Sequence, residues 1–240
     1  MGAFSAGKGC AVHGRQDNKG HDYEYYRGIG GGGQMESVLN AKENAVLQNA
    51  ENITVGFAVT GSYCTFSKVI AAAENLKKYV NIVPIFSNNS AETDTRFGKS
   101  ADFKKRMEEI CARGVIEKIP DAEPIGPKKM LDALVIAPCT GNTIAKLANG
   151  IADTTVTLAA KSQLRNLRPV IIAVSTNDGL GANAANIGRL MARKNIYFVP
   201  FGQDDFVNKE NSLVADFEMI PQTIECALGG RQIQPLLLQR

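Results

Sequence analysis

The chain has 240 residues, 44% hydrophobic and 21% charged, which is enough apolar material for a full core in one domain. Its net charge of +3 is spread along the sequence, with no arginine-rich run, aromatic RNA-binding signature or zinc-ligand spacing. Nucleic acid is therefore not an expected partner, and no metal site is expected. No run approaches the roughly 20 consecutive apolar residues of a membrane-spanning helix, and the N-terminus lacks the apolar centre of a secretory signal. A cytoplasmic protein without membrane association is the expectation.

Residues 1–34 are rich in Gly, Lys, His and Tyr, lack helical or strand period, and end in Gly30 to Gly33 ahead of Gln34 and Met35. No strand precedes the glycines, so they read as a flexible tail and not as a phosphate loop. The glycine run just upstream of Met35 also marks Met35 as a candidate translation start. A short helix is expected around Val38 to Leu47. Residues 1–50 are thus read as a disordered or weakly structured extension, and 51–240 as the folded domain.

From Ile53 the punctuation changes. Ile53 to Val59 is a buried-type strand that stops at Thr60-Gly61-Ser62, and Phe66 to Val80 has amphipathic helical spacing. A second strand, Asn81 to Phe86, ends in the polar loop Ser87 to Ser90, and a charged helix is expected from Ser100 to Arg113. A third strand, Ala133 to Ala137, runs into Pro138 to Thr143 and then a helix beginning near Ile144. Pro169 to Val174 and Asn195 to Val199 supply two more strands, with a helix over Ala184 to Arg193 between them. Strands apolar on both faces and alternating with helices predict an α/β fold: a doubly wound, mainly parallel sheet with helices on both faces.

Ligands of such sheets bind beyond the carboxyl ends of the strands, where this chain carries Gly, Ser, Thr and Asn. Gly61 and Ser62 at a helix start suit a phosphate, through unpaired N–H groups and the helix dipole. Ser87 and the loop Thr140 to Thr143 are expected to converge on the same crevice, although each is also an ordinary helix cap. Both histidines, His13 and His21, lie in the N-terminal stretch, which argues against a zinc site or a Ser-His-Asp triad in the domain. The five cysteines include no CxxC pair and read as free thiols.

The turn Thr60 to Val69 and the segment Ala137 to Asp153 resemble the flavoprotein superfamily that includes FMN-dependent cysteine decarboxylases. The second segment is similar to its Pro-Ala-Ser-Ala-Asn-Thr motif, with Pro138, Asn142 and Thr143 matching and Cys139, Thr140 and Gly141 departing. More narrowly, Ser87 to Gly98, Glu123 to Asp132 and Arg231 to Leu237 resemble the B-subunit family of dipicolinate synthases. The likeness runs from about residue 53 to 237. It implies a flavin-type oxidoreductase that works with the dinucleotide-binding A subunit of that enzyme and oxidises dihydrodipicolinate to dipicolinate during sporulation. It also implies FMN, with its phosphate on Gly61, Ser62 and Ser87 and its ring beside Pro138, Cys139, Thr140, Asn142 and Thr143. NAD(P) is implied only through the partner subunit.

The superfamily's decarboxylases use a histidine after the second strand, and residues 60–240 contain none, which disfavours phosphopantothenoylcysteine-decarboxylase-like chemistry. A non-catalytic FMN- or substrate-binding subunit is the remaining alternative. No catalytic acid or base is assigned: Asp94, Glu92 and Tyr63 read as structural or solvated, and Cys139 as a packing residue. A dicarboxylate substrate calls for a guanidinium, for which Arg96 is the candidate, with Lys128 and Lys129 behind it. A homo-oligomer or a complex with the A subunit is expected, with Gly179 to Arg193, including Asn183, Asn186 and Arg189, as a shared loop and helix.

Overall fold

The computed structural model describes residues 53–239, so the expectations for residues 1–50, including the glycine run, Met35 and the Val38 to Leu47 helix, lie outside the described residues. The first strand, β1 (Thr54–Val59), is buried from Val55 onward. It leads through a turn and a short 3-10 segment, Tyr63–Thr65, into α1 (Phe66–Leu76), which buries Val69, Ala72, Ala73 and Leu76 as its spacing dictates. There follow β2 (Asn81–Phe86), the single-turn α2 (Asn88–Glu92), α3 (Ser100–Cys111) and α4 (Ile119–Ala122). Next come β3 (Ala133–Cys139), α5 (Gly141–Ala148), α6 (Thr155–Arg165), β4 (Val170–Thr176), α7 (Ala184–Met191) and β5 (Ile196–Phe198). A hairpin of β6 (Phe201–Asp205) and β7 (Lys209–Ala215) precedes α8 (Ile220–Leu228).

One seven-stranded sheet organises these elements in the order β2-β1-β3-β4-β7-β6, with β5 also paired to β4. Strands β2, β1, β3, β4 and β5 are parallel, and β7 runs antiparallel both to β6 and to the carboxyl end of β4. Helices α1 and α8 pack together on β3, while α5 packs with α6 and α7. The chain winds one way from β1 to β2 and the other way from β3 to β5. Right-handed crossovers therefore put the two helix sets on opposite faces. The fold is the doubly wound, mainly parallel α/β architecture that the strand and helix pattern predicts. The carboxyl ends of β1 and β3, where the winding reverses, form the topological switch point at which such sheets bind ligands.

Three departures from the expected elements have physical causes. Strand β3 continues through Pro138 to Cys139, although proline has no N–H for a ladder; the β3–β4 register shifts between Ile136 and Cys139 to accommodate it. Helix α1 stops at Leu76, short of Val80. The β6–β7 hairpin was not expected because its turn-side half is polar and largely exposed, including Asp204, Lys209, Glu210 and Asn211. Among the described residues no helix is long and apolar enough to cross a membrane.

Candidate functional site

Side-chain hydroxyls tie the loops at the carboxyl ends of the parallel strands to one another. Thr60 Oγ1, after β1, donates to the Pro138 carbonyl at 2.7 Å and accepts from the Thr140 N–H at 3.1 Å, so the loops after β1 and β3 are joined across the switch point. Thr60 is nearly fully buried, and this pair of bonds satisfies it. Ser62 Oγ lies 2.8 Å from Ser175 Oγ near the end of β4. On the other side, the Ser87 N–H and Ser90 Oγ both donate to the Val59 carbonyl, at 3.0 and 2.9 Å, which fastens the loop after β2 to the end of β1.

The loop residues named from the sequence take distinct positions in this arrangement. Ser62 precedes α1 by the whole Tyr63–Thr65 turn, and its N–H bonds the Thr60 carbonyl at 2.8 Å, so it lies ahead of the helix start and not within it. Ser87 is the N-cap of α2, accepting from the Ser90 N–H. Thr140 is the N-cap of α5, accepting from the Thr143 N–H, and Asn142 is exposed on the first turn. The N–H groups of Gly141 and Asn142 point out of the helix end without intrahelical partners. Pro138 and Cys139 are buried within β3, so a molecule on this loop meets Cys139 only through its main chain. Burial pushes the Cys139 thiol far above its ordinary pKa, which removes it as a nucleophile.

Arg96 lies on an exposed loop beyond α2, with its guanidinium 4.8 Å from the centre of the Phe97 ring. Phe97 in turn lines a cavity of about 260 Å³ with Phe66, Lys99 and Phe103, at the start of α1 and α3. Lys128 and Lys129 fall in the turn before the amino end of β3, at the opposite end of the sheet from these loops. Asp94 Oδ1 accepts from the Ser100 N–H at 2.9 Å and the Ser100 hydroxyl at 3.1 Å, so it holds the start of α3. Glu92 is exposed at the end of α2.

A polar cluster of which the sequence singled out only Asn183 and Asn186 lies against the Thr140 loop. Thr176 Oγ1 donates to Asp178 Oδ1, Asn183 Nδ2 donates to Asp178 Oδ2 at 2.8 Å, and Asn186 Nδ2 donates to Asn183 Oδ1 at 3.0 Å. A β-carbon on Gly141 would fall within 2.7 Å of atoms of Thr176, Asp178 and Asn183. Asn183 and Asn186 are thus beside the loop, whereas Arg189 bonds Asn149 at the far end of α5. The glycine where the motif has alanine was the available signal, but nothing in one sequence says which side chains fill the vacated space. The hairpin is fixed to the same loop: the Leu180 N–H donates to Asn211 of β7 at 3.0 Å, and Gly179 leaves room for Leu213.

A switch-point shelf of hydroxyls and helix-end N–H groups is a setting for a phosphate-bearing, polyhydroxylated ligand. Residues 43–219 match the family model described as Flavoprotein. The chain belongs to the flavoprotein family. It is 47% identical over 186 residues to the dipicolinate synthase B subunit of Bacillus subtilis (strain 168), covering 77% of this chain and 93% of that protein. The crystal structure of the dipicolinate synthase B subunit from Bacillus halodurans C superposes with a TM-score of 0.74 at 46% identity, covering 80% of this chain and 99% of that one. DmrB of Burkholderia xenovorans in complex with FMN, a cubic protein cage for redox transfer, shares the fold, with a TM-score of 0.51 at 23% identity over 62% of this chain and 88% of its own. Among the described residues no cluster of His, Cys, Asp or Glu is arranged to hold a metal ion.

Proposed function

We propose that this flavoprotein-family chain works as the B subunit of a dipicolinate synthase, oxidising dihydrodipicolinate to dipicolinate with a dinucleotide-binding A subunit in the cytoplasm of a sporulating cell. The observation that carries the reading is the 47% identity across 93% of the B. subtilis protein. The switch-point loops add support, because sheets with the strand order 2-1-3-4-5 hold FMN at the β1/β3 switch point in flavodoxin.

FMN fits the donor set. Gly61, Ser62 and Ser87 would take its phosphate and ribityl end, and Thr140, Asn142 and Thr143 would border its ring with the main chain of Pro138 and Cys139. Bound there, the flavin would supply two-electron redox chemistry. Arg96, at the rim beside the Phe97 cavity, would grip one carboxylate of the substrate. NAD(P) would enter with the partner subunit. The cage-forming DmrB neighbour favours self-association as well.

The absence of histidine from residues 60–240 favours a second reading, in which this chain only holds FMN or substrate and the A subunit carries the chemistry. One reconstitution separates the two. The purified chain, its A-subunit partner and dihydrodipicolinate should yield dipicolinate only when both proteins are present, with light scattering showing a species larger than either monomer. A flavin-coloured chain whose bound flavin is reduced on substrate addition supports catalysis here, and a colourless chain that is still required supports the binding role. No dipicolinate from the complete mixture, with NAD(P) and FMN supplied, would refute both.

A further inference from the structure

The cavity of about 260 Å³ at the start of α1 and α3 has walls of two kinds. Phe66, Ile70, Phe97 and Phe103 supply an apolar side, and Ser67, Thr93 and Lys99 a polar one. An apolar cavity of about 150 Å³ already takes a benzene ring, so this space matches a single ring with small substituents. The cavity adjoins both loops that would hold the flavin phosphate. Phe66 follows the Tyr63–Thr65 turn, in which the Thr65 N–H and hydroxyl donate to the Ser62 carbonyl at 3.1 and 2.7 Å. Thr93 ends the helix that Ser87 begins.

The aromatic walls differ in how they are covered. Phe103 stacks on Phe66 with ring centres 4.0 Å apart and on the buried Phe86 at 5.4 Å, which anchors both outer rings to the end of β2. Phe97 is instead 55% exposed, at the tip of a tight turn that Thr95 and Gly98 close with two main-chain bonds of 3.1 Å. Gly98 has φ +142°, a conformation that favours glycine. The turn therefore presents apolar ring surface to water beside the cavity, and a flat ligand packed on it would remove that surface from water.

The cations lie on either side of Phe97 in the chain. The Arg96 guanidinium is 4.8 Å from the centre of the Phe97 ring, and Lys99 lines the cavity. Among the described residues neither forms an ion pair. Of the nearby acids, Asp94 is turned to the Ser100 N–H and hydroxyl, and Asp102 lies in the first turn of α3, where the helix dipole favours it.

We propose that this cavity is the slot for the substrate ring, with Phe97 stacked on the ring and Lys99 binding the second carboxylate while Arg96 grips the first. This deepens the dipicolinate synthase reading and rests on it. A ring with two carboxylates uses both cations, and a ring with one uses a single cation, so Lys99 is the residue that selects a dicarboxylate.

Calorimetric titration of the full chain, with and without FMN, tests the slot separately from turnover. The parent should bind dipicolinate at least about tenfold more tightly than pyridine-2-carboxylate. In Lys99→Met, dipicolinate should fall to the level of the monocarboxylate, whose own binding, through Arg96, should change little. Phe97→Ala should weaken both ligands several-fold, and Phe97→Tyr, which keeps a ring, should restore them. Lys128→Met, at the other end of the sheet, should titrate as the parent does. A Lys99→Met chain that keeps the parent's preference for the dicarboxylate overturns the proposal, as does a Phe97→Ala chain that binds both ligands as the parent does, or a parent chain that binds neither. If the ligands bind as described but the complete two-subunit mixture makes no dipicolinate, the slot stands and the synthase reading fails.

Discussion

Arg96, proposed above to grip a substrate carboxylate, is exposed on its loop. Its guanidinium rests on the Phe97 ring, which limits the freedom it would lose on gripping a ligand, and Phe97 itself lines the Phe66–Phe103 cavity. Losing a charge-assisted bond to a substrate carboxylate costs about 1.5–3 kcal/mol, or roughly ten- to hundredfold in binding. Arg96→Met in the reconstituted enzyme should therefore raise the half-saturating substrate concentration at least about tenfold, with folding and assembly of the complex intact. An unchanged value would remove Arg96 from the site. Lys128 and Lys129 are not equivalent alternatives, since they lie at the amino end of β3. Their sequence position, just ahead of the third strand, already made them weaker candidates than Arg96, which follows the carboxyl end of the second.

At the level of elements, the loop from β3 into α5 is held from two directions. Thr60 bonds it on the β1 side, and the cluster of Thr176, Asp178 and Asn183 presses on Gly141 from the β4 side. Gly141→Ala would push a methyl into three short, mutually bonded polar groups that cannot all retreat, an overpacking that typically costs about 1–3 kcal/mol. For a domain of this size that is a fall of several degrees in Tm, at about 2–4 °C per kcal/mol. A melting curve that matched the parent's would mean that the Asp178 cluster is loose. The five parallel strands were legible because each is a largely apolar run, and the first four are closed by polar residues. The hairpin and α6 were not. Strands β6 and β7 are exposed over much of their length, and α6 carries Thr155, Thr157, Ser162 and Gln163 on its buried side, where period-based reading looks for apolar residues. Three of those side chains have identifiable partners: Thr155 donates to the Glu117 carbonyl at 2.9 Å, Thr157 to the Thr154 carbonyl at 3.2 Å, and Gln163 Nε2 to the Leu131 carbonyl at 3.2 Å.

For the whole molecule, topology gathers scattered polar loops at one end of the sheet. Reversal of winding between β1 and β3 brings together Ser62, Ser87 and Thr140, which are far apart in sequence, and the loop after β4 closes the arrangement with Asp178. The strand-end residues and their hydroxyl character were readable beforehand. The bonds among them were not, because they depend on tertiary packing. If these loops hold a flavin by its phosphate, FMN titration followed by fluorescence quenching will register it. Ser62→Asp keeps an acceptor for Ser175 and so should preserve the fold, yet it sets a negative charge against the phosphate. The parent chain should bind one FMN, and Ser62→Asp should weaken that binding at least about tenfold, equivalent to about 1.4 kcal/mol. Lys128→Met, at the other end of the sheet, should bind as the parent does. A parent chain that leaves FMN fluorescence unchanged, or a Ser62→Asp chain that quenches it as well as the parent, would mean that these loops do not hold the flavin phosphate.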